Sequence, residues 1–280
     1  MQPMPSPHAL LNYVLRHMVV TTLMCTRQKH EHGYSMAERV IHDYNFIYVI
    51  RGKPVWVVEQ TEYPLEPGGL VIVPPDVKHH AYCRTEQVTL GSLHVLATLP
   101  GGQDVFKLLA PPPYQEIASG SPFDIYFRGF MAEFDRNDGE FQTLQYPGWA
   151  HLITRELFRD NASRGLLAAH ASDPLVAAML EDLNRRLSER VKLSELSRRS
   201  GFSAQHLNRV FQRALGVTPL QYLARARLEK AAALLREGRH TIAEVARQVG
   251  FDDPFYFSRQ FTAHHGQNPS AFRDRAAPAE

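Results

Sequence analysis

Leu193-Ser-Glu-Leu-Ser-Arg-Arg-Ser-Gly-Phe202 and Ile242-Ala-Glu-Val-Ala-Arg-Gln-Val-Gly-Phe251 are two versions of one pattern, 49 residues apart. Past one extra residue in the second copy, Arg209, Phe211, Gly216 and Pro219 match Arg259, Phe261, Gly266 and Pro269 at an offset of 50. Gly, Phe, Arg and Pro kept in register over about 30 residues indicate a duplicated module. Two copies are too few for a solenoid.

Each copy is built the same way. A short helix comes first, with Ile242, Val245, Ala246 and Val249 forming its apolar stripe in the second copy. Thr241 and Glu244 have capping-box spacing there, whereas Lys192 stands at the cap of the first copy and cannot form one. Gly201 and Gly250 supply the left-handed residue that a sharp turn needs. A second helix then opens at Ser203 or at Asp253-Pro254. Two helices on a tight glycine turn make a helix-turn-helix unit, whose second helix can enter the major groove of double-stranded DNA.

The faces of those second helices follow from helical spacing. Leu207, Val210, Phe211 and Ala214 form the stripe expected to be buried in the first copy, with Phe257 and Phe261 in the second. The opposite stripe of the first copy is Gln205, Asn208, Arg209 and Gln212, residue types that read base edges. In the second copy it is Phe255, Ser258, Arg259 and Thr262, flanked by Tyr256. Two readings stay open at the arginines and aromatics: contact with DNA, or ion pairing and packing within the chain.

Charge agrees with a polyanion partner for one half only. Residues 1–173 hold 14 basic and 18 acidic side chains, and residues 174–280 hold 17 and 11. Cys25 and Cys83 have no pairing pattern, which fits free thiols in a reducing compartment. Met1–Pro5 lacks the charged and apolar regions of a signal peptide, and runs such as Phe46–Ile50 are too short to span a bilayer. A cytoplasmic protein without a membrane partner is the expectation.

On these motifs residues 174–275 resemble the C-terminal domain of the AraC/XylS transcription regulators, most closely from Ile242 to Phe261 and again from Gly266 to Arg273. The resemblance implies two helix-turn-helix units, joined by a linking helix at Pro219–Glu237, that address successive major-groove segments. Pro254-Phe255 heads the second recognition helix, where the resemblance implies polar residues. It also implies a homodimer, an effector-controlled switch and contact with RNA polymerase.

From Arg39 to Ala97 the texture is that of β-structure. Asn45–Arg51, Val55–Glu59, Leu70–Val73 and Gln87–Ala97 are expected strands, separated by turns such as Gly52-Lys53-Pro54. Ile50-Arg-Gly52 followed by Tyr63-Pro-Leu-Glu-Pro-Gly68 and His79-His80 resembles the cupin-type arabinose-binding domain found ahead of such regulators. The fold class expected is therefore two-domain: an all-β, jelly-roll-like barrel with following helices, then an all-α domain. Its expected divisions are residues 1–160, a linker at 161–173, the reader at 174–275 and a tail at 276–280. Pro100–Pro113 is expected to be a loop. The apolar face of Trp149–Arg159, with Leu152, Ile153 and Leu157, is expected to meet a second copy or to cover its own barrel.

Arg39, Tyr48, Trp56, His79, Tyr82 and His94 are the candidates for an effector pocket, where aromatic planes and imidazoles suit a small molecule such as a sugar. Metal-dependent cupin enzymes are the alternative. Their ligand pattern places Glu at Asn45 and His near Val40–Ile41, and only His79 fits. No catalytic residue, metal or other cofactor is therefore assigned.

Overall fold

The computed structural model describes residues 9–30, 33–83, 87–133, 139–167 and 174–276. In chain order its elements are α1 Ala9–His17, β1 Val19–His30, β2 Tyr34–Val40, β3 Tyr44–Arg51, β4 Pro54–Val58, β5 Thr61–Pro64, β6 Gly69–Val73, β7 Lys78–Cys83 and β8 Val88–Thr98. Then follow α2 Val105–Leu109, β9 Tyr114–Glu116, α3 Pro122–Glu133, α4 Gly139–Ser163 and α5 Pro174–Arg185. The chain ends with α6 Leu193–Ser200, α7 Ala204–Leu215, α8 Pro219–Glu237, α9 Ile242–Gln248, α10 Pro254–His265 and α11 Pro269–Ala276. Packing divides it into a β-rich unit, Val19–Ala97 with Leu109–Leu167, and a helical unit, Met1–Met18 with Thr98–Leu108 and Ala168–Glu280. Among the described residues no helix is long and apolar enough to cross a membrane.

In the β-rich unit one sheet has the order β1-β8-β3-β6-β9 and the other β2-β7-β4-β5. Ile47, Val71 and Leu90 from the first share one core with Tyr34, Trp56 and Ala81 from the second. No hydrogen-bonded strand pair closes the two sheets among the described residues, so the expected barrel is a sandwich. The four expected strands correspond to β3, β4, β6 and β8, but β-structure begins at Val19 and not at Arg39. β1 escaped notice because it is an edge strand, with Val19, Leu23 and Met24 exposed and no buried-face alternation to read.

The period of two sends the other face of β3 and β8 against α3. Tyr48 packs on Phe123 and Phe127 there, and a Cβ at Gly91 would lie 2.3 Å from the Met131 sulfur. Glycine lets helix and strand approach this closely. Further along, Ile153 and Leu157 of α4 are fully buried and Leu152 half so, while Trp149 lies against Gly129 of α3. α4 packs on α3 and β1, so the stripe offered to a second copy is already covered within the chain. An amphipathic helix here does its commonest work, covering its own core.

The expected loop at Pro100–Pro113 contains α2. Gly and Pro bracket the segment, but Val105, Phe106, Leu108 and Leu109 between them are buried. In the helical unit α8 spans Pro219–Glu237, as its capping box at Thr218 and Gln221 and its left-handed Gly238 dictate. The N-terminal helix α1, which the sequence reading missed, packs on α5 in this unit. Tyr13 and Tyr222 bring their hydroxyls to 2.9 Å, and the Asn184 amide donates to both. Burial raises the Tyr13 phenol to about 12, so this knot stays uncharged. Gly101 adds a third contact, since a Cβ there would stand 2.6 Å from the Tyr222 ring. The helical unit thus takes in Met1–Met18 ahead of the sandwich strands and Thr98–Leu108 between β8 and β9, besides Ala168–Glu280. α4 runs on to Ser163.

Candidate nucleic-acid interface and ligand site

Both helix-turn-helix units form where the repeat places them. α6 ends at Gly201 with φ of 76°, and Ser203 caps α7 by accepting from the His206 amide. α9 starts from the Thr241/Glu244 capping box, the turn passes through Gly250 at φ of 83°, and Asp253 caps α10. Leu207, Phe211 and Ala214 are buried under α7, as are Phe257 and Phe261 under α10. Val210 is only half-buried.

That leaves the outward stripes free for a partner. Gln205, Arg209 and Gln212 are exposed and Asn208 half-buried. Arg209 Nη2 lies 3.1 Å from His206 Nδ1, and no described carboxylate pairs with Arg209 or Arg259. Arg186 and Arg199, by contrast, are tied to Asp182 and Glu195. On α10 Phe255 is 79% exposed and Tyr256 47%, with the Arg259 guanidinium over the Tyr256 ring. Ser258 and Thr262 donate to the carbonyls of Pro254 and Ser258, so they offer DNA only acceptor capacity while those bonds stand. Arg227 of α8 fixes the frame. It donates to the carbonyls of Leu187 and Glu189 and lies over the Phe251 ring.

Inside the sandwich the inward positions of β3 and β8 change from apolar to polar toward one end. Asn45 is registered opposite His94, and Arg39 of β2 opposite His79 of β7. His94 Nδ1 lies 2.7 Å from Asp43, Ser92 donates to Asn45 at 2.8 Å, and Arg39 donates to His79 Nε2 at 3.2 Å. His79, His94, Asn45 and Ser92 are almost wholly buried. Burial, against the pull of the Val77 carbonyl, holds the His79 imidazole below its ordinary pKa and keeps it neutral. Among the described residues His94 Nε2, Asn45 Nδ2 and Trp56 Nε1 are buried without a hydrogen-bond partner, an arrangement that costs stability unless something else supplies one.

Of the six pocket candidates the structure thus gathers Arg39, His79 and His94, and turns Trp56 into the same core. Tyr48 and Tyr82 leave the set. Tyr48 points to the helix side, where its hydroxyl donates to Asp124 at 2.5 Å, and Tyr82 points outward to Glu62. Burial raises the Asp124 pKa, but the Tyr48, Gly120 and Arg128 donors outweigh it and leave the carboxylate ionised. No three His, Cys, Asp or Glu ligand atoms of the sandwich lie within 4.8 Å of one another among the described residues.

Comparison with known proteins now bears on these two sites. The helix-turn-helix domain family matches residues 196–275, and the cupin domain family matches residues 28–95. A helix-turn-helix-type transcriptional regulator of Bacillus subtilis, YfiF, is 22% identical over 240 residues, covering 82% of this chain and 76% of its own. An AraC-like transcription regulator described for Streptomyces antibioticus is 34% identical over 129 residues, covering 46% and 42%. The chain is thus similar to AraC-like and helix-turn-helix-type transcription regulators. It carries a cupin-like ligand-binding domain ahead of a DNA-binding helix-turn-helix domain. Among solved structures, the C-terminal domain of AraT from Geobacillus stearothermophilus covers 39% of this regulator and 90% of its own chain, at 28% identity and a TM-score of 0.37.

Sequence reasoning missed three polar residues of the sandwich: Asp43, Asn45 and Ser92. The signal was present in the period of two. Asn45 shares a face with Ile47 and Val49, and Ser92 and His94 share one with Leu90.

Proposed function

We propose that this regulator reads its operator chiefly through Gln205, Asn208, Arg209 and Gln212, and that a small polar effector bound at the inner end of the sandwich controls it. The guanidinium of Arg209, exposed on a recognition helix and paired with no carboxylate among the described residues, carries the first half of the reading. Phe255, Tyr256, Ser258, Arg259 and Thr262 would meet sugar, phosphate and thymine methyl groups at the second segment. For the effector, the donors and acceptors at His94, Asn45 and Trp56 that have no partner among the described residues suit a polyhydroxylated molecule such as a sugar, whose hydroxyls can both donate and accept. The proposal includes no catalytic step. Asn45 stands where a metal-binding carboxylate would be needed, and His79 Nε2 is already engaged by Arg39.

The sensor, residues 1–160, and the reader, residues 174–275, are proposed as functional divisions working in the cytoplasm. Homodimerisation, implied by the resemblance, would use a surface other than the Ile153/Leu157 face, and contact with RNA polymerase belongs to the same proposal. Coupling would run through the chain's own connections. The strands of the sandwich are joined to the helical unit at Met18–Val19 and Ala97–Thr98, and both flanking segments pack near Tyr222. An effector shifts this equilibrium only through its differential affinity for two arrangements.

The experiment maps bound DNA across the genome, then measures full-length protein on that operator against a panel of monosaccharides. A response of roughly 5- to 150-fold is expected with one of them. His94→Leu should abolish it and leave basal operator affinity unchanged. Absence of sequence-specific binding would end the reader assignment, and an undiminished response in His94→Leu would end the effector site.

A further inference from the structure

Glu229 of α8 and His264 and His265 at the end of α10 meet at a spot that neither the reading stripes nor the sandwich uses. His264 Nε2 lies 2.7 Å from Glu229 Oε1, and His265 Nε2 lies 3.4 Å from the Leu228 carbonyl. One ligand atom from each of the three side chains falls within 4.8 Å of the others. No other three His, Cys, Asp or Glu side chains come together so closely among the described residues. We propose that Glu229, His264 and His265 form a site for a divalent transition-metal ion of the zinc class, which ties the C-terminal end of α10 to α8.

The donor set selects the ion. Two imidazoles and one carboxylate suit zinc and its borderline neighbours, whereas calcium and magnesium require oxygen ligands. Metal bonds of about 2.0–2.2 Å place neighbouring tetrahedral ligand atoms roughly 3.3–3.5 Å apart. His264 and Glu229 must therefore open by less than about 1 Å, and His265, within 4.8 Å of both, must close in by at most about 1.5 Å. All three side chains are partly exposed, so an ion can enter and water can hold a fourth position.

The surroundings restrict how the ligands move. Neighbouring residues of a helix point about 100° apart, yet the two rings stand 4.6 Å apart at their centroids, both facing α8. His265 is held between Phe261 at 4.4 Å and Phe272 at 5.3 Å, which limits its swing. The repeat supplies an internal control. At an offset of 50, the first copy carries Ala214 and Leu215 in these places. The module therefore closes with apolar residues alone, and the histidine pair answers no need common to both copies.

Cobalt(II) tests the site because tetrahedral nitrogen and oxygen ligation gives it visible ligand-field bands. Full-length protein titrated with Co2+ should develop those bands with one saturating equivalent, and Zn2+ should bleach them. Glu229→Gln and His264→Gln, chosen because both side chains are partly exposed, should each weaken that equivalent at least tenfold, and the double variant should lose it. Zn2+ should also raise the unfolding midpoint of the parent protein but not of the double variant. Circular dichroism confirms that the variants are folded. Absence of saturable Co2+ bands overturns the proposal, as do bands that persist in the double variant, since they would belong to other histidines of the chain.

Discussion

The two helix-turn-helix copies keep the same interior and differ at the surface and at the turn. Leu207 and Phe211 of α7 correspond to Phe257 and Phe261 of α10, and all four are fully buried. Outside, α7 presents four long polar arms, whereas α10 begins with the exposed pair Phe255 and Tyr256. The turns differ as much. Gly201 stands in open space, while a Cβ at Gly250 would lie 2.9 Å from the Leu187 carbonyl and 3.0 Å from Arg227. Duplication has thus preserved what folds the module and released what it touches. The first copy carries side chains suited to choosing bases, and the second is locked into the frame by Arg227 and presents a more apolar face.

Glycine substitution should separate the two turns most sharply. Both glycines have φ between 76° and 83°, so alanine at either position incurs the left-handed penalty, about 1 kcal/mol or slightly more. At Gly250 the new methyl also strikes backbone, and overpacking adds roughly 1–3 kcal/mol. Chemical denaturation should therefore show Gly250→Ala destabilised by about 2–4 kcal/mol and Gly201→Ala by about 1 kcal/mol. Equal losses would mean that the second turn is no more constrained than the first.

The reading faces should separate next, by roughly 1–3 kcal/mol. Arg209→Ala should lose that much on the specific operator and relax preference at one base pair, with little change on random DNA. Phe255→Ala should weaken binding by a smaller amount without changing which base is preferred. Arg198→Ala, removing an exposed arginine that flanks the turn, should weaken all sequences alike and flatten the salt dependence. Competition binding over a randomised operator library measures all three. Equal loss on specific and random DNA for Arg209→Ala would remove base reading from the first copy.

How legible each part was depended on where its pattern came from. The repeat was readable because caps, turn glycines and buried stripes are local and occur twice; α8, implied by the resemblance, has its ends marked by Thr218, Pro219 and Gly238. α1 was not, since its buried Leu10, Tyr13 and Val14 find partners in α5 and α8, far away in the chain. In the sandwich, strand position marks His79, Tyr82 and His94 alike as candidates, but Tyr82 lies three residues from His79 on an alternating strand and so faces outward. Asp43 and Asn45 became site residues only through register with β8, which fixes what lies opposite them.

Capping is the smallest contrast between the copies and the one most open to repair. Thr241 and Glu244 satisfy each other's backbone amides at the start of α9, while Lys192 sits at the cap of α6 in extended geometry with no side-chain bond. A threonine in place of Lys192 could accept from the Glu195 amide, as Thr241 accepts from that of Glu244, and the general value of a cap is about 0.5–2 kcal/mol. Glu195, however, already holds Arg186 at 2.7 Å, with Arg199 at 3.9 Å. If it turned back to complete a capping box, it would give up the pair with Arg186, whose side chain is largely buried and whose other carboxylates are Asp182 and Glu189. The exchange should therefore realise only half of the box. Lys192→Thr is expected to raise stability by roughly 0.5 kcal/mol, the low end of the range. Adding Arg186→Met would free Glu195 for the cap, so the threonine should gain more in that background than alone. A double-mutant cycle by denaturation reads the difference directly. Strict additivity would show that Arg186 places no claim on the cap of α6, leaving the asymmetry between the copies to Lys192 alone.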